Sequence, residues 1–266
     1  MMTALNGATF VVTRPAAQAG PLCRLIESQG GLVLAFPTLA IDAVTPDESS
    51  LANALQSDWL LFTSTNAVDF ARPTLSGKMP AAGSPRIAAV GAATAEALRQ
   101  AGWTVDCVPA SQFSSEGLLA EPLLHHVDGL TCTIVRGVGG RDILRTRLAE
   151  RGAVVNYLDV YRRYCPAQEP TVLTARLGSA DLDAITITSV EALANLLTLV
   201  GKHHHVLLKA VTLVVVSERI KQAAIEWGFR QVMVSDAPSD ASIVETLTTL
   251  LSGEDRGRRH SRAAGN

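Results

Sequence analysis

Short apolar runs rich in β-branched residues alternate along almost the whole chain with longer stretches of helical periodicity. The runs predict strands at 9–13, 32–35, 59–62, 86–90, 131–135, 154–158, 183–187, 211–216 and 231–234. Helical patterns fill most of the intervals between them. Such an alternation is typical of repeated βα units built around parallel sheets, so we predict an α/β protein.

The second half of the chain weakly repeats the first half. The matching pairs of segments are 9–31 with 132–153, 63–68 with 188–193, 90–103 with 216–229 and, more faintly, 113–124 with 238–250. Because the matches keep their order and nearly the same offset, they favour an internal duplication. The repeat predicts two similar lobes and, taken alone, a simple division near Gly129.

Two stretches, 36–44 and 159–166, do not fit the βα pattern. Each is extended in character, contains proline and follows a strand. We predict that they are connectors that cross between the lobes. The last stretch, 254–266, lacks apolar periodicity and is predicted to be a disordered tail.

Composition narrows the class of protein. A chain of 266 residues is long enough for two domains of ordinary size. Its formal net charge of −2 argues against a general electrostatic grip on nucleic acid or on a membrane surface. The opening residues do not resemble an export signal, and the apolar runs are too short for a membrane span, so we expect a cytoplasmic protein. The four cysteines lack a metal-ligand spacing, which predicts reduced, structural thiols.

Polar residues cluster at the predicted carboxyl ends of the strands. Ligands bind at these ends in parallel α/β sheets, because loops and helix N-termini present unpaired backbone N–H groups there. The candidate binding residues are Arg14, Ser64, Asn66, Thr94, Ser114, Ser115, Arg136, Gly140, Arg141, Thr188, Ser189 and Ser217. Each hydroxyl also fits the simpler role of a helix N-cap. Together the residues predict a cleft rich in hydrogen-bond donors, suited to an anionic ligand.

Two further patterns carry weak signals. Loop 137–142 superficially resembles a nucleotide loop, but it lacks the third glycine of GxGxxG and the Gly-Lys-Ser/Thr of a P-loop. The run of His203, His204 and His205 cannot ligate one ion from a helix, because consecutive residues point in different directions. We therefore interpret the histidines as a loop or a helix end.

No motif of conventional acid–base hydrolysis is present, which leaves tyrosines as candidate acids. Tyr157, Tyr161 and Tyr164 fall close together, two of them on the second connector. A packing role with a satisfied hydroxyl is the simpler interpretation of a tyrosine at such a place.

The ordered set of motifs resembles the uroporphyrinogen-III synthase family. The motifs are TRP at 13–15, TSTNAV at 63–68, VGAATAEALRQAGW at 90–103, FSSEGLL at 113–119, VRGVGGRDILRTRLAERGAVV at 135–155 and VYRRY at 160–164. Singly these motifs are weak, but their order and spacing together are specific. The resemblance covers roughly residues 8–252.

This resemblance implies a fold of two similar flavodoxin-like lobes, each a parallel sheet flanked by helices, joined by two extended strands with a cleft between the lobes. It also implies that the lobes are interleaved. One lobe comprises 1–36 and 166–253, and the other comprises 37–165 with both connector strands. Residues 254–266 form the tail.

The implied activity is cyclisation of the linear tetrapyrrole hydroxymethylbilane, with inversion of ring D and loss of water through a spiro-pyrrolenine intermediate. The resemblance makes this a lyase of tetrapyrrole biosynthesis that uses neither a metal nor an organic cofactor. It assigns Tyr161, in the Val-Tyr connector motif, to assist departure of the hydroxyl, while the donor-rich residues grip the substrate carboxylates. We expect a monomer with a small-molecule substrate, and a transient contact with hydroxymethylbilane synthase stays open.

One loop departs from the family pattern. Many relatives carry Gly-x-x-Thr-Ala where this chain has VSERI at 216–220, so Ser217 replaces part of the expected site and Glu218 adds a negative charge. Two alternatives to the synthase remain at this point. One is a non-catalytic, two-lobed protein that closes on an anionic ligand. The other is a nucleotide-dependent enzyme that uses loop 137–141.

Overall fold

The computed structural model describes residues 4–79 and 85–263, with side chains as far as residue 253. Its strands are β1 (Thr9–Val12), β2 (Leu32–Ala35), β3 (Ala40–Ala43), β4 (Trp59–Phe62), β5 (Arg86–Ala89), β6 (Thr131–Gly137), β7 (Val154–Tyr164), β8 (Ala184–Ile187), β9 (Thr212–Val215) and β10 (Val232–Val234). Its α-helices are α1 (Ala16–Ser28), α2 (Glu48–Leu55), α3 (Thr65–Leu75), α4 (Ala92–Gln100), α5 (Ser115–Ala120), α6 (Ile143–Glu150), α7 (Thr171–Gly178), α8 (Val190–Val200), α9 (His205–Leu208), α10 (Glu218–Glu226) and α11 (Asp240–Ala263). Every predicted strand is present.

The apolar runs become strands because their side chains are covered on both faces of parallel sheets. All residues of β1, β4, β8 and β9 are buried. The edge strands β2 and β10 are only half-buried or exposed. Continuous apolar runs in the centre and weaker runs at the edge are what parallel sheets covered by helices require.

Two compact units divide the chain. Unit 1 comprises Met1–Ala40 and Tyr164–Asn266, and unit 2 comprises Ile41–Arg163. The chain does not divide near Gly129, because β6, which follows that glycine, pairs along its length with β4. The first βαβ segment instead belongs with the strands that follow β7.

Unit 1 is a five-stranded sheet in the order β10-β9-β8-β1-β2. All its strand pairs are parallel. Helices α7, α8 and α10 pack on one face, and α1 and α11 pack on the other. Numbered by their own order along the chain, the strands run 2-1-3-4-5, which is the flavodoxin-like arrangement.

Unit 2 is a five-stranded sheet in the order β3-β7-β6-β4-β5, in which β7, β6, β4 and β5 are parallel. Helices α2, α3 and α4 pack on one face, and α5 and α6 pack on the other. Each unit is therefore a sheet of mainly parallel strands flanked by helices, as predicted.

The matched segments of the sequence repeat occupy equivalent places in the two sheets. Strand β1 corresponds to β6, β8 to β4 and β9 to β5, and an isolated parallel bridge between Ala88 and Cys107 takes the place of β10. The register agrees, because Phe10 pairs with Ala184 while Cys132 pairs with Trp59. Arg14 and Arg136, each four residues further along, therefore hold the same position in their units.

The two expected connectors are strands that belong to one sheet. The second connector continues the predicted strand at 154–158, so that β7 is 11 residues long. The first contains β3, which lies beside β7 at the edge of the sheet of unit 2, and the Val44 N–H donates to the Val160 carbonyl at 2.9 Å. Mutual pairing explains why both stretches are extended outside the βα pattern.

The C-terminal region is described only in part. Helix α11 continues as far as Ala263, beyond the end near 253 that the apolar pattern indicates. The side chains of 254–263 and all of 264–266 lie outside the described residues, so the expected disordered tail stays a prediction. In the part of the chain that the structure describes, no helix is both long and apolar enough to span a membrane.

Candidate functional site

Each parallel sheet has a point where the order of its strands reverses, between β1 and β8 in unit 1 and between β4 and β6 in unit 2. Loops diverge to opposite faces at such a point, and the carboxyl ends of the strands leave a crevice for ligands. Ser64 and Arg136 lie at this position in unit 2. Arg14, Thr188 and Ser189 lie at it in unit 1.

Four of the candidate serines are N-caps of the helices that follow the strands. Their hydroxyl oxygens accept backbone N–H groups three residues on, at 3.1 Å for Ser64 and Ser114, 3.0 Å for Ser189 and 3.4 Å for Ser217. The simpler interpretation of these hydroxyls is therefore confirmed. A serine N-cap keeps its own O–H proton, so these groups can still donate to an anion.

Tyr161 meets one of these N-caps. It lies where the parallel pairing of β7 with β6 ends, and its hydroxyl is 3.2 Å from Ser64 Oγ. The Ser64 oxygen already accepts the N–H of Ala67. If Ser64 donates its proton to the Tyr161 oxygen, the phenol proton is free to be donated elsewhere.

The Tyr161 ring is held firmly in place. Only 5% of the residue is exposed, and the ring stacks on Phe70 with centroids 5.6 Å apart. Strand β6 lies between β7 and β4, and the tyrosine crosses it at Gly137. A Cβ atom at Gly137 would lie 2.5 Å from Tyr161 Cε2, which no structure tolerates without a shift. Gly137 is thus needed for the ring to lie there.

Arg136, the neighbour of Gly137, points to the opposite face of the strand, as alternation requires. Its guanidinium carbon lies 3.4 Å from the centre of the Tyr157 ring. Nε donates to Asp159 at 3.1 Å, and Nη1 donates to Asp142 at 3.3 Å. The Tyr157 hydroxyl donates to the same Asp142 oxygen at 2.6 Å.

These contacts shift two pKa values in opposite directions. The hydrogen bond from Tyr157, and then the pairing with Arg136, hold the pKa of Asp142 below its usual range. Burial, and then the hydrogen bond to Asp142, raise the pKa of Tyr157. Asp142 is therefore a stable anion beside a phenol that keeps its proton.

The other two candidate arginines also have carboxylate partners. Arg14 pairs with Asp240, the first residue of α11, and Arg141 pairs with Glu116 at 2.9 Å. The Arg141–Glu116 pair is largely exposed, whereas Arg14 is mostly buried. A substrate carboxylate would have to share or replace these partners.

The remaining candidates lie in or beside the first turns of helices and in the loop before α6. Thr94 is buried on α4, Asn66 and Ser115 are half-buried in the first turns of α3 and α5, and Gly140 is exposed at φ +139°. Thr188 is half-buried directly before the Ser189 N-cap. The structure thus brings Tyr161 together with Ser64, and Arg136 together with the loop that carries Gly140 and Arg141.

The predicted binding set leaves out four residues that take part in these contacts or lie next to them. They are Gly137 under the Tyr161 ring, Asp142 and Asp159 around Arg136, and Phe113. Phe113 is 56% exposed and packs over Gly91, the N-cap position of α4. Strand register would have placed Asp159 beside Arg136, because the two are paired residues of β6 and β7.

The weaker motifs have structural roles. His204 Nδ1 lies 3.2 Å from the Val200 carbonyl and His205 Nε2 lies 2.9 Å from the Leu197 carbonyl, so both bind the last turn of α8. This confirms the interpretation of the run as a helix end. Among the described residues, no group of three or more His, Cys, Asp or Glu is placed to hold a metal ion.

The cysteines are all free thiols. Burial raises the pKa of Cys107 to about 11 and that of Cys132 to about 12, and it also raises those of Cys23 and Cys165. Because the thiolate is the reactive form, thiols shifted in this direction are unreactive, as structural cysteines are.

Comparison with known proteins gives one consistent family. The family model of uroporphyrinogen-III synthase HemD matches residues 21–245. The uroporphyrinogen-III synthase of Salmonella typhimurium is 29% identical over 90% of this chain and 99% of its own length. That of Synechococcus elongatus is 30% identical over 75% of this chain and 77% of its own length.

Solved structures agree at the level of the fold. A mutant uroporphyrinogen III synthase from the extremely thermophilic bacterium Thermus thermophilus has a TM-score of 0.59 at 20% identity, covering 96% of this chain and 100% of its own. The enzyme from Helicobacter pylori has a TM-score of 0.58 at 15% identity, covering 91% and 99%. With the family model matched across most of both units, the chain belongs to the uroporphyrinogen-III synthase (HemD) family, the lyases that cyclise hydroxymethylbilane in tetrapyrrole biosynthesis.

Proposed function

We propose that this chain converts hydroxymethylbilane into uroporphyrinogen III and water, with substrate-binding residues at the carboxyl edges of both sheets and Tyr161 as the acid. The observation that carries this assignment is the contact between the Tyr161 hydroxyl and the Ser64 N-cap at the strand-order reversal of unit 2. It joins a proton donor to the crevice where α/β sheets bind ligands.

The reaction requires one assisted bond cleavage followed by control of geometry. The hydroxyl leaves as water when its C–O bond breaks and it gains a proton, and loss of a pyrrole N–H proton gives an azafulvene. The substituted carbon of ring D attacks the azafulvene carbon and forms a spiro-pyrrolenine. The original bond between this ring-D carbon and its bridge to ring C then breaks, which leaves an azafulvene on ring C. The unsubstituted α-carbon of ring D bonds to that azafulvene and loses its proton, so the macrocycle closes with ring D inverted.

Tyr161 donates to the departing hydroxyl in this scheme. Ser64 holds the phenol oxygen at 3.2 Å, while Phe70 and the bare backbone of Gly137 fix the ring. A fixed donor contributes a factor of roughly 10² to 10⁴ when a proton is transferred in the transition state. The phenolate is neutralised by a proton released when the azafulvene forms or the macrocycle closes.

The remaining polar groups hold the substrate carboxylates. The N-cap hydroxyls of Ser64, Ser114, Ser189 and Ser217 lie beside helix N-termini, where partial positive charge and free N–H groups favour anions. Arg14, Arg136 and Arg141 add positive charge, which a substrate carboxylate shares with their own carboxylate partners. Closure without inversion is the easier path in solution, so binding must bring the inverting geometry within reach first.

Glu218 follows the Ser217 cap directly, whereas α5 and α8 carry their first-turn glutamates, Glu116 and Glu191, one residue further from the cap. Glu218 is the first residue of α10, exposed and negatively charged directly beside the cap. Repulsion between Glu218 and a substrate carboxylate weakens this anion contact, although Lys221 pairs with Glu218 at 3.6 Å and offsets part of its charge. Thr94, Asn66, Ser115, Gly140 and Thr188 complete the proposed binding set.

We propose further that the enzyme acts in the cytoplasm as a monomer and receives its unstable substrate through transient contact with hydroxymethylbilane synthase. Support comes from the small-molecule nature of the substrate and from the nearly balanced charge of the chain. Sedimentation of the purified protein, alone and mixed with that synthase, tests the oligomeric state and the contact.

The decisive experiment supplies freshly generated hydroxymethylbilane to the purified protein, oxidises the products and separates the porphyrin isomers. We expect mainly isomer III without any added cofactor, against isomer I in a protein-free control. Isomer I alone from a folded protein would reject the assignment.

A further inference from the structure

Asp142 occupies the N-cap position of α6 but does not cap that helix. Its backbone has φ −90° and ψ 9°, and its side chain makes no capping hydrogen bond. Asp47, at the same position of α2, behaves as expected and accepts the Ser50 N–H at 2.7 Å. Aspartate is among the best N-cap residues, so Asp142 gives up a favourable role.

The Asp142 carboxylate instead occupies a site made by other residues. The Tyr157 hydroxyl and Arg136 Nη1 both donate to Oδ1, at 2.6 and 3.3 Å. Arg145 lies on the same ring, with its guanidinium carbon 5.3 Å from the ring centre of Tyr157. A phenol and a guanidinium that converge on one oxygen form a specific carboxylate site.

Arg136, which forms part of this site, is held in place by its neighbours, whereas Asp142, which occupies the site, is exposed. The Arg136 side chain is only 14% exposed and is fixed by Asp159 and by the Tyr157 ring. Asp142 is 67% exposed. It ends a loop in which Gly139 and Gly140 have positive φ and open space around them. A small rotation of that loop would free the site and let Asp142 cap α6.

We propose that Arg136 and Tyr157 form a binding site for one carboxylate of the substrate, and that Asp142 holds this site until the substrate displaces it. The inference rests on the proposed function, since hydroxymethylbilane supplies the carboxylate. The exchange conserves charge around Arg136, because one carboxylate replaces another. The displaced Asp142 then caps α6, which offsets part of the cost.

An internal competitor lowers the apparent affinity for substrate. A site that is open for only a fraction of the time binds with an affinity reduced by that fraction. Asp142→Asn keeps the ability to cap α6 but removes the competing charge. We expect this variant to have a KM lower by roughly 3- to 10-fold, corresponding to a site that is open in about a third to a tenth of the wild-type molecules.

Three further variants make the test specific. Asp142→Ser also caps the helix and lacks the charge, so it should lower KM in the same direction. Tyr157→Phe removes a donor from the site and should raise KM. Glu150→Gln is the matched control, because it makes the same change of charge on α6 at an exposed pair with Arg147. We expect its KM to stay at the wild-type value.

The outcomes separate the two proposals. If the wild-type protein makes isomer III but Asp142→Asn and Asp142→Ser leave KM unchanged or raise it, the exchange is wrong and the synthase assignment stands. Equal effects of Asp142→Asn and Glu150→Gln would also overturn it, because they would indicate general electrostatics. If the wild-type protein makes only isomer I, the assignment itself fails. Circular dichroism of each variant shows that it is folded.

Discussion

Arg14 in unit 1 and Arg136 in unit 2 hold equivalent places in two sheets that share four equivalent strands, but their surroundings differ. Arg14 pairs with Asp240, its one charged partner among the described side chains, at the start of α11. Arg136 contacts two aspartates and lies on the face of Tyr157. Unit 2 also holds Tyr161. Two copies of one scaffold thus present different chemistry at the same edge.

The difference has a structural origin in β7. Its counterpart β2 is four residues long and ends at Ala35, while β7 continues to Tyr164 and carries every tyrosine of the chain. The extension is possible because β3 pairs with it at the outer edge. Under the proposed function, unit 1 would contribute binding groups alone, whereas unit 2 would contribute binding groups and the acid.

The largest expected effect is that of Tyr161→Phe. Loss of the phenol proton donor should lower kcat by about 10²-fold while KM changes little, because the donation matters only in the transition state. Tyr164→Phe is the matched control, since it makes the same change on the same strand at an exposed position. Steady-state kinetics with fresh hydroxymethylbilane measure both. An unchanged kcat for Tyr161→Phe would show that Tyr161 is not the acid.

Gly137→Ala tests whether the position of the ring matters. The added Cβ would lie 2.5 Å from Tyr161 Cε2, so the ring must move and its 3.2 Å contact with Ser64 is lost. We expect kcat to fall about 10-fold, because displacement of a reacting group by a fraction of an ångström is costly. Overpacking should also lower the free energy of unfolding by about 1–3 kcal/mol.

The control for this variant is Gly178→Ala. Gly178 ends α7, its Cβ would meet nothing within 4 Å, and its φ is not positive. Its kcat and its free energy of unfolding should stay near the wild-type values. A Gly137→Ala protein with wild-type kcat would mean that the Tyr161 ring need not lie over β6.

Ser64→Ala and Ser189→Ala compare equivalent N-caps of the two units. Each loses a helix cap, so each should lower the free energy of unfolding by about 1 kcal/mol. Only Ser64 also contacts Tyr161, and loss of that hydrogen bond should lower kcat by roughly 3- to 10-fold. Equal kcat values for the two variants, measured beside their unfolding curves, would contradict a special role for Ser64.

The fold was predictable from local patterns because burial on both faces leaves an unbroken apolar run. β1, β4, β8 and β9 are such runs. β3 was not predicted as a strand of the sheet, since Asp42 interrupts its apolar residues and its pairing depends on β7. The N-caps Ser64 and Ser189 were also predictable from local sequence, because each serine binds a backbone N–H group only three residues further along the chain.

The contacts that define the candidate site were not predictable in this way. Ser64 and Tyr161 are 97 residues apart, and their contact depends on the order β7-β6-β4 and on the small size of Gly137. Asp142 has the residue type and position of an N-cap, and local rules therefore predict the wrong partner for it. Tertiary partners with stronger donors outcompete a local cap at this position.

Asp240→Asn should have the smallest effect on the kinetics. Comparison of its KM with that of Asp142→Asn measures how far carboxylate exchange differs between the two units. Asp240 pairs with Arg14 at the position equivalent to Arg136, but every tyrosine of the chain lies on β7, so this pair lacks the phenol donor of its counterpart. Because Arg14 is mostly buried, loss of its charged partner should lower the free energy of unfolding by about 1–3 kcal/mol, which is a cost in stability and not in catalysis. We expect a change in KM of less than about twofold, against a larger decrease for Asp142→Asn. If both variants lower KM equally, carboxylate exchange operates at both edges, and the units differ only in the acid that Tyr161 supplies.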